Sequence, residues 1–319
     1  MKTCLLLVAL SSVLLAVAFS GTAANQVPRT PCQINNVVLG GGGISIYAGA
    51  GAIAALRASP RYNLTSVTAT NDGAILATLI VANYSDAEIE GLLFASGTPP
   101  RPLDYETVGA NIVNFSGVFY VQDEYQGLIE LLLISKYGVP GMTFGQLFQA
   151  TGKFLNFVVY NCNLRRLEYL NKDTTPDLAV SLGAAASLAY TYIYDTVTID
   201  DYIYTSGAVR NNYPIDYYPP TLGNRLVGVN YVYDYNTVDW NYNDTAAANV
   251  VVGATNLLNY LINPSINTPV LGSPQTVNVY ITPGVIQYSH YLTDAQKLEL
   301  IAEGNAAMTQ HLTNPLSFF

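Results

Sequence analysis

In two places early in the chain, an apolar, β-branched run passes through a tight glycine-bearing turn directly into a helix-forming run. No other feature constrains the fold as strongly. In the first, Asn35–Leu39 ends in Gly40–Gly43 and gives way to the small-residue run Tyr47–Leu56. In the second, Ser66–Thr70 is followed at once by Asn71-Asp72-Gly73 and an Ala/Leu/Ile-rich stretch ending at Ala82. Strand–turn–helix units in series predict a largely parallel sheet covered by helices, because parallel neighbours need long crossover connections. Phe154–Tyr160 and Arg225–Val229 read as further strands. Ser85-Asp86-Ala87-Glu88 and Thr293-Asp294-Ala295-Gln296 are capping boxes that open helices, the second running through Glu303. With 319 residues, 50% of them apolar, and no internal repeat or linker, residues 25–319 are expected to form a single α/β domain.

Residues 1–24 are set apart from that domain. Lys2, the apolar run Leu5–Ala18 and the small residues Ser20–Ala24 read as a cleaved secretory signal peptide, the alternative being an uncleaved anchor. A secreted, extracellular protein is therefore expected. Cys4 leaves with the signal; Cys32 and Cys162 then either pair across a loop of about 130 residues or remain buried thiols. Asn63, Asn83, Asn114 and Asn243 stand in Asn-x-Ser/Thr acceptors, so a glycoprotein is expected. Only 11% of residues are charged and the net charge is −9, so nucleic acid is not a partner. Two cysteines and two histidines offer no metal-ligand spacing, and no cofactor is expected. Twelve of the 25 tyrosines fall between Tyr190 and Tyr242, which suits either a half-exposed sheet face or a recognition surface.

Several stretches, taken in order, resemble the patatin-like phospholipase family over nearly the whole of residues 25–319. Val37–Leu56 is similar to its first strand, glycine-rich oxyanion loop and following helix, and Val67–Leu79 to its nucleophile elbow. Gly141–Ser187 is similar to its middle segment, Ser206–Asp216 to the turn that carries its catalytic aspartate, and the run from Tyr291 to its closing helix. The resemblance implies a three-layer α/β/α patatin-like fold with a largely parallel central sheet. It also implies acyl-ester hydrolysis by a Ser–Asp dyad, assisted by backbone N–H groups of the glycine loop.

Carried over by position, the serine falls on Asn71 and the aspartate on Ser206, and neither residue does the family's chemistry. The loop Gly41-Gly42-Gly43 is followed by Ile44, Ser45 and Ile46, where the family commonly has a basic residue and then glycine. A β-branched Ile46 is expected to resist the unusual φ of that position and to turn the loop from a reacting carbonyl. Asp72 adjoins the elbow tip, but its side chain is expected to point elsewhere while its N–H serves the oxyanion hole. The expectation is therefore a non-enzyme: an inactive, degenerate acyl hydrolase. It would bind a lipid or other apolar ligand in a pocket near Asn71, Tyr190 and Tyr192, or serve as a structural or storage protein, either as a homo-oligomer or in a surface assembly. The alternative is a residual lipid acyl hydrolase with a non-standard nucleophile.

Overall fold

The structure is a computed structural model of the chain, and it describes residues 32–95, 125–190, 194–233, 270, 273–281 and 292–314. The signal-like segment 1–24 lies outside the described residues. Both strand–turn–helix units are present. β1 (Ile34–Leu39) leads through a 3-10 turn at Gly43–Ser45 into α1 (Ile46–Ala58), and β2 (Tyr62–Ala69) leads through Thr70–Asp72 into α2 (Gly73–Val81). β2 begins at Tyr62, ahead of the Ser66 expected, because its first residues alternate between exposed and buried whereas Ser66–Ala69 are all buried. The buried half alone carries a continuous strand signal. α2 is buried on every side, as a uniformly apolar helix must be.

The remaining elements are α3 (Asp86–Phe94), α4 (Gly127–Tyr137), α5 (Phe144–Thr151), β3 (Phe154–Asn161), β4 (Arg166–Asn171) and α6 (Val180–Leu188), followed by β5 (Val197–Ile199), β6 (Tyr202–Ser206), β7 (Leu226–Val232), β8 (Thr276–Tyr280) and α7 (Asp294–Thr313). The two expected capping boxes open α3 and α7, each with reciprocal side-chain and backbone hydrogen bonds. α7 continues past Glu303 to Thr313.

The strands form one 8-stranded sheet in the order β5-β6-β3-β2-β1-β7-β8, with β4 also paired to β3. β1 runs parallel to β2 and β7, as do β2 to β3 and β7 to β8; the β4, β5 and β6 pairings are antiparallel. This is the mixed α/β architecture with a mostly parallel sheet that the sequence predicts. Gln33–Phe319 make up one compact unit.

Two features of the sheet position a site. From β1 the chain moves to β2 and β3 on one side, and later to β7 and β8 on the other. The carboxyl end of β1 is thus a topological switch point, where a crevice forms in open α/β sheets. In addition, β2 and β6 share one side of β3: Ala69 lies opposite Phe157 and Ser206 opposite Val159. The end of β2 therefore faces the end of β6, with about 7 Å between the two register levels.

Among the described residues, the tyrosines of this stretch divide between core and a half-exposed face: Tyr194, Tyr213, Tyr217 and Tyr218 are half-buried and Tyr202 is exposed. Tyr204, Tyr231 and Tyr233 are buried. Tyr218 hydroxyl bonds Ser66 Oγ at 2.5 Å, and Tyr213 hydroxyl donates to Thr276 Oγ1 at 3.0 Å. Each ring goes inside because its hydroxyl finds a polar partner there. Among the described residues, no helix is long and apolar enough to cross a membrane.

Candidate active site

The glycine loop at the end of β1 is held from three directions. Gly40 N–H donates to Val229 O of β7 at 3.1 Å, continuing the ladder beyond the strand. Gly41 exchanges two hydrogen bonds with Asn212: its N–H donates to Asn212 O at 3.1 Å, and Asn212 Nδ2 donates to Gly41 O at 2.8 Å. Tyr233 hydroxyl donates to Gly42 O at 2.6 Å. Gly43 takes φ 62, the left-handed conformation that turns successive N–H groups to one side. Ile46 needs no unusual φ, contrary to the expectation: at φ −53 it is ordinary helix, and the turn is complete before it.

At the elbow, Asn71 holds φ 50, a strained value that asparagine tolerates better than most residues. Its side chain is only 6% exposed and packs on Gly41. A Cβ at Gly41 would lie 2.5 Å from Asn71 Cβ and 2.7 Å from Asn212 Oδ1, so only glycine fits between them. Asn71 thus wedges the loop into place.

Asp72 does not point elsewhere. Its Oδ2 accepts from Gly43 N–H at 2.5 Å and from Gly42 N–H at 3.2 Å, so the glycine loop is a nest closed on an anion from the adjacent elbow. The reason is local. Asp72 has helical φ and ψ as the cap of α2, and this sets its side chain toward the loop that β1 places alongside. Asp72 keeps part of its surface accessible, and its own N–H joins Gly43 and Gly42 among the donors to the carboxylate. Burial pushes its pKa above the ordinary carboxylate value, and the Gly43 and Gly42 N–H groups offset that only in part. Tyr231 lies close enough for the Asp72 charge to add to the burial that raises its own pKa.

Ser206 is fully buried, and its Oγ accepts from Ala208 N–H at 3.3 Å, capping a 3-10 turn. Its own N–H donates to Ala189 O at 2.9 Å, which sets buried Tyr190 next in line. Tyr192, Asn114 and Asn243 lie outside the described residues. Asn63 is exposed on β2, and Asn83 is exposed with its Oδ1 accepting from Lys153 Nζ at 2.5 Å. Cys162 is a thiol, half-buried, with Sγ 3.9 Å from Tyr160 O.

The residues that shape the loop without having been singled out in the sequence are Asn212, Tyr231 and Tyr233. Asn212 belongs to the Asn-x-Pro stretch after Ser206, a signal present but read only as part of a motif. In the sequence Ser45 stands out only as the residue in place of the family's basic one. Its hydroxyl is fully buried beside the nest and has no hydrogen-bond partner among the described residues.

The patatin-like phospholipase family model matches residues 37–218, from β1 through the segment after β6. An uncharacterised protein of Acanthamoeba polyphaga mimivirus is 25% identical over 244 residues, 75% of this chain and 78% of that protein. A protein of Invertebrate iridescent virus 6 named "Probable lipid hydrolase 463L" is 24% identical over 187 residues, 58% of this chain and 63% of its own length. Among solved structures, VipD of Legionella pneumophila aligns with TM-score 0.55 at 15% identity, covering 88% of this chain and 67% of that one. Full-length ExoU of Pseudomonas aeruginosa, in complex with SpcU, aligns with TM-score 0.50 at 16% identity, covering 89% of this chain and 53% of that one. These structural likenesses concern the fold.

The family match corrects the expectation of a non-enzyme, since it points to an enzyme family. Physically, Asn71 and Ser206 rule out one dyad and not ester hydrolysis as such: a carboxylate with raised pKa stands one residue from the elbow tip. With the model matched over more than half of its length, the chain belongs to the patatin-like phospholipase family.

Proposed function

We propose that the protein hydrolyses acyl esters of lipids, with Asp72 as the acid–base group. The Asp72 carboxylate carries this reading: partly accessible, held beside the elbow tip by Gly42 and Gly43 N–H, and its pKa raised by burial. A general base works best when its pKa is drawn up toward the working pH, and a desolvated carboxylate meets that need. Oδ1 takes the proton of the attacking hydroxyl and returns it to the leaving alkoxide. The Gly42 and Gly43 N–H groups that now bind the carboxylate become donors to the ester carbonyl oxygen once Asp72 swings off them toward the attacking hydroxyl. The lipid class is supported by the family and by the name of the iridescent virus relative. Lipid binding follows from the same site. The apolar run Leu5–Ala18 supports an extracellular setting.

The test is fatty-acid release from phosphatidylcholine micelles, and turnover of p-nitrophenyl butyrate, by the wild-type protein and by Asp72→Asn. Release above buffer that falls about 10²–10⁴-fold in the variant is expected. Equal activity in the variant refutes the role of Asp72, and no turnover of either substrate refutes the reading.

A further inference from the structure

We infer that Ser45 supplies the attacking hydroxyl, so that Ser45 and Asp72 form a dyad on positions other than those of the family pattern. This inference rests on the reading of the site as an ester hydrolase.

Two buried hydroxyls in this region lack a hydrogen-bond partner among the described residues, those of Ser45 and Thr70. A buried hydroxyl left without a partner costs about 1–3 kcal/mol, so each marks a place that a water, a ligand or a moved side chain would satisfy. Thr70 continues the row of Ser66 and Thr68, whose hydroxyls bond Tyr218. Ser45 belongs to the nest itself. Its N–H donates to Gly42 O at 3.2 Å, and its Oγ lies 2.3 Å from where a Cβ on Gly42 would be. It thus sits on the same glycine whose N–H binds Asp72. As the cap residue of α1 it makes no capping hydrogen bond, so its hydroxyl is uncommitted to the helix.

The two groups complement each other. Asp72 occupies the N–H donors that an oxyanion needs, and Ser45 has a proton with no acceptor. In the dyad we infer, the Asp72 carboxylate leaves the nest for Ser45 Oγ, which gives the hydroxyl an acceptor and empties the donors. Ser45 Oγ then forms a bond to the ester carbonyl carbon as its proton passes to Asp72, and Gly42 and Gly43 N–H receive the oxyanion. Collapse breaks the carbon–oxygen bond to the alcohol, which leaves with the proton from Asp72. Water hydrolyses the acyl-Ser45 intermediate by the same route, losing a proton to Asp72, which returns it to Ser45 Oγ. Asn71 and Asn212 act as positioning residues, since they reach Gly41 and not the reacting atoms.

The experiment is covalent trapping with an alkyl fluorophosphonate, read by intact mass and peptide mapping on wild-type, Ser45→Ala and Thr70→Ala proteins, with ester turnover measured on the same samples. The expected result is one adduct on Ser45 in the wild type, retained in Thr70→Ala and lost in Ser45→Ala. Turnover should fall at least about 10³-fold in Ser45→Ala. Its unfolding midpoint should hold or rise, because removing an unsatisfied hydroxyl removes a desolvation cost. An adduct on Thr70 or Ser206, or undiminished turnover in Ser45→Ala, overturns the assignment of Ser45 while leaving Asp72-dependent hydrolysis standing. Absence of turnover in the wild type overturns both.

Discussion

Gly304→Ala in α7 is the substitution whose sign the structure fixes most sharply. A Cβ at Gly304 would lie 1.8 Å from Ala48 O of α1, and one at Gly51 would lie 1.9 Å from Ile301 O of α7. Both obstacles are backbone, which no rotamer change relieves. Restoring ordinary contact forces the helices apart by about 1.5 Å. Overpacking of this kind costs about 3 kcal/mol, well beyond the 0.5–1 kcal/mol that alanine gains over glycine from helix propensity. For a domain of this size the melting temperature should fall by roughly 5–10 °C. Gly91→Ala in α3 is the matched control: nothing lies within 4 Å of its Cβ position, so the same exchange should stabilise by about 0.5–1 kcal/mol. The effect should reach the site as well. α1 starts immediately after the Gly43–Ser45 turn, and a displacement of about 1 Å in a catalytic constellation can cost on the order of 10²-fold in rate. Differential scanning fluorimetry and ester turnover on both variants test the reasoning. A Gly304→Ala protein that melts at or above the wild type, as the control should, would refute the close approach of α1 and α7.

Three other outcomes follow from the charges and the thiol. The raised pKa of Asp72 means that its contribution to stability is present below the ordinary carboxylate pKa and lost as pH rises through the folded value. Asp72→Asn should therefore melt above the wild type at pH 8, and the gap should shrink on acidification; a gap that widens contradicts the desolvation account. Burial, with Arg61 adding to it, lowers the His311 pKa from 6.5 to about 4. Stability is then intact above pH 6.5 and lost as pH falls toward 4, by about 2 kcal/mol after allowing for partial exposure. His311→Gln should flatten that part of a urea-midpoint profile, and an unchanged slope would assign the acid sensitivity to other groups. Burial also raises the Cys162 pKa, so at pH 8 its thiol should react with a disulfide reagent much more slowly in the folded than in the unfolded protein. An unfolded protein that yields no titratable thiol before reduction would show Cys162 disulfide-bonded.

Much of the fold was legible because its signals are local. The glycine turn after Leu39, the elbow after Ala69 and the capping boxes at Ser85 and Thr293 each declare an element within a few residues. What stayed hidden depends on which strands become neighbours. Asn212 reaches Gly41 across 171 positions and Tyr233 reaches Gly42 across 191, contacts that no spacing pattern reveals. The direction of the Asp72 side chain was misread for the same reason. It is set by how the β1 loop lies beside the β2 elbow, a product of parallel pairing and not of the Asn-Asp-Gly sequence. The exclusion of enzyme chemistry went wrong at a similar point: the dyad positions were weighed as isolated residue types, whereas a site is a spatial arrangement in which a neighbouring carboxylate and hydroxyl can take up the roles.

The most direct test of the account is the pH dependence of fatty-acid release from phosphatidylcholine micelles by the wild-type protein and by Asp72→Asn. The account predicts release by the wild type that rises with pH through a limb lying above the ordinary carboxylate range, and loss of both the limb and about 10²–10⁴-fold of the rate in the variant. A wild-type protein that releases no fatty acid at any pH, or a variant with the same profile and rate, contradicts it.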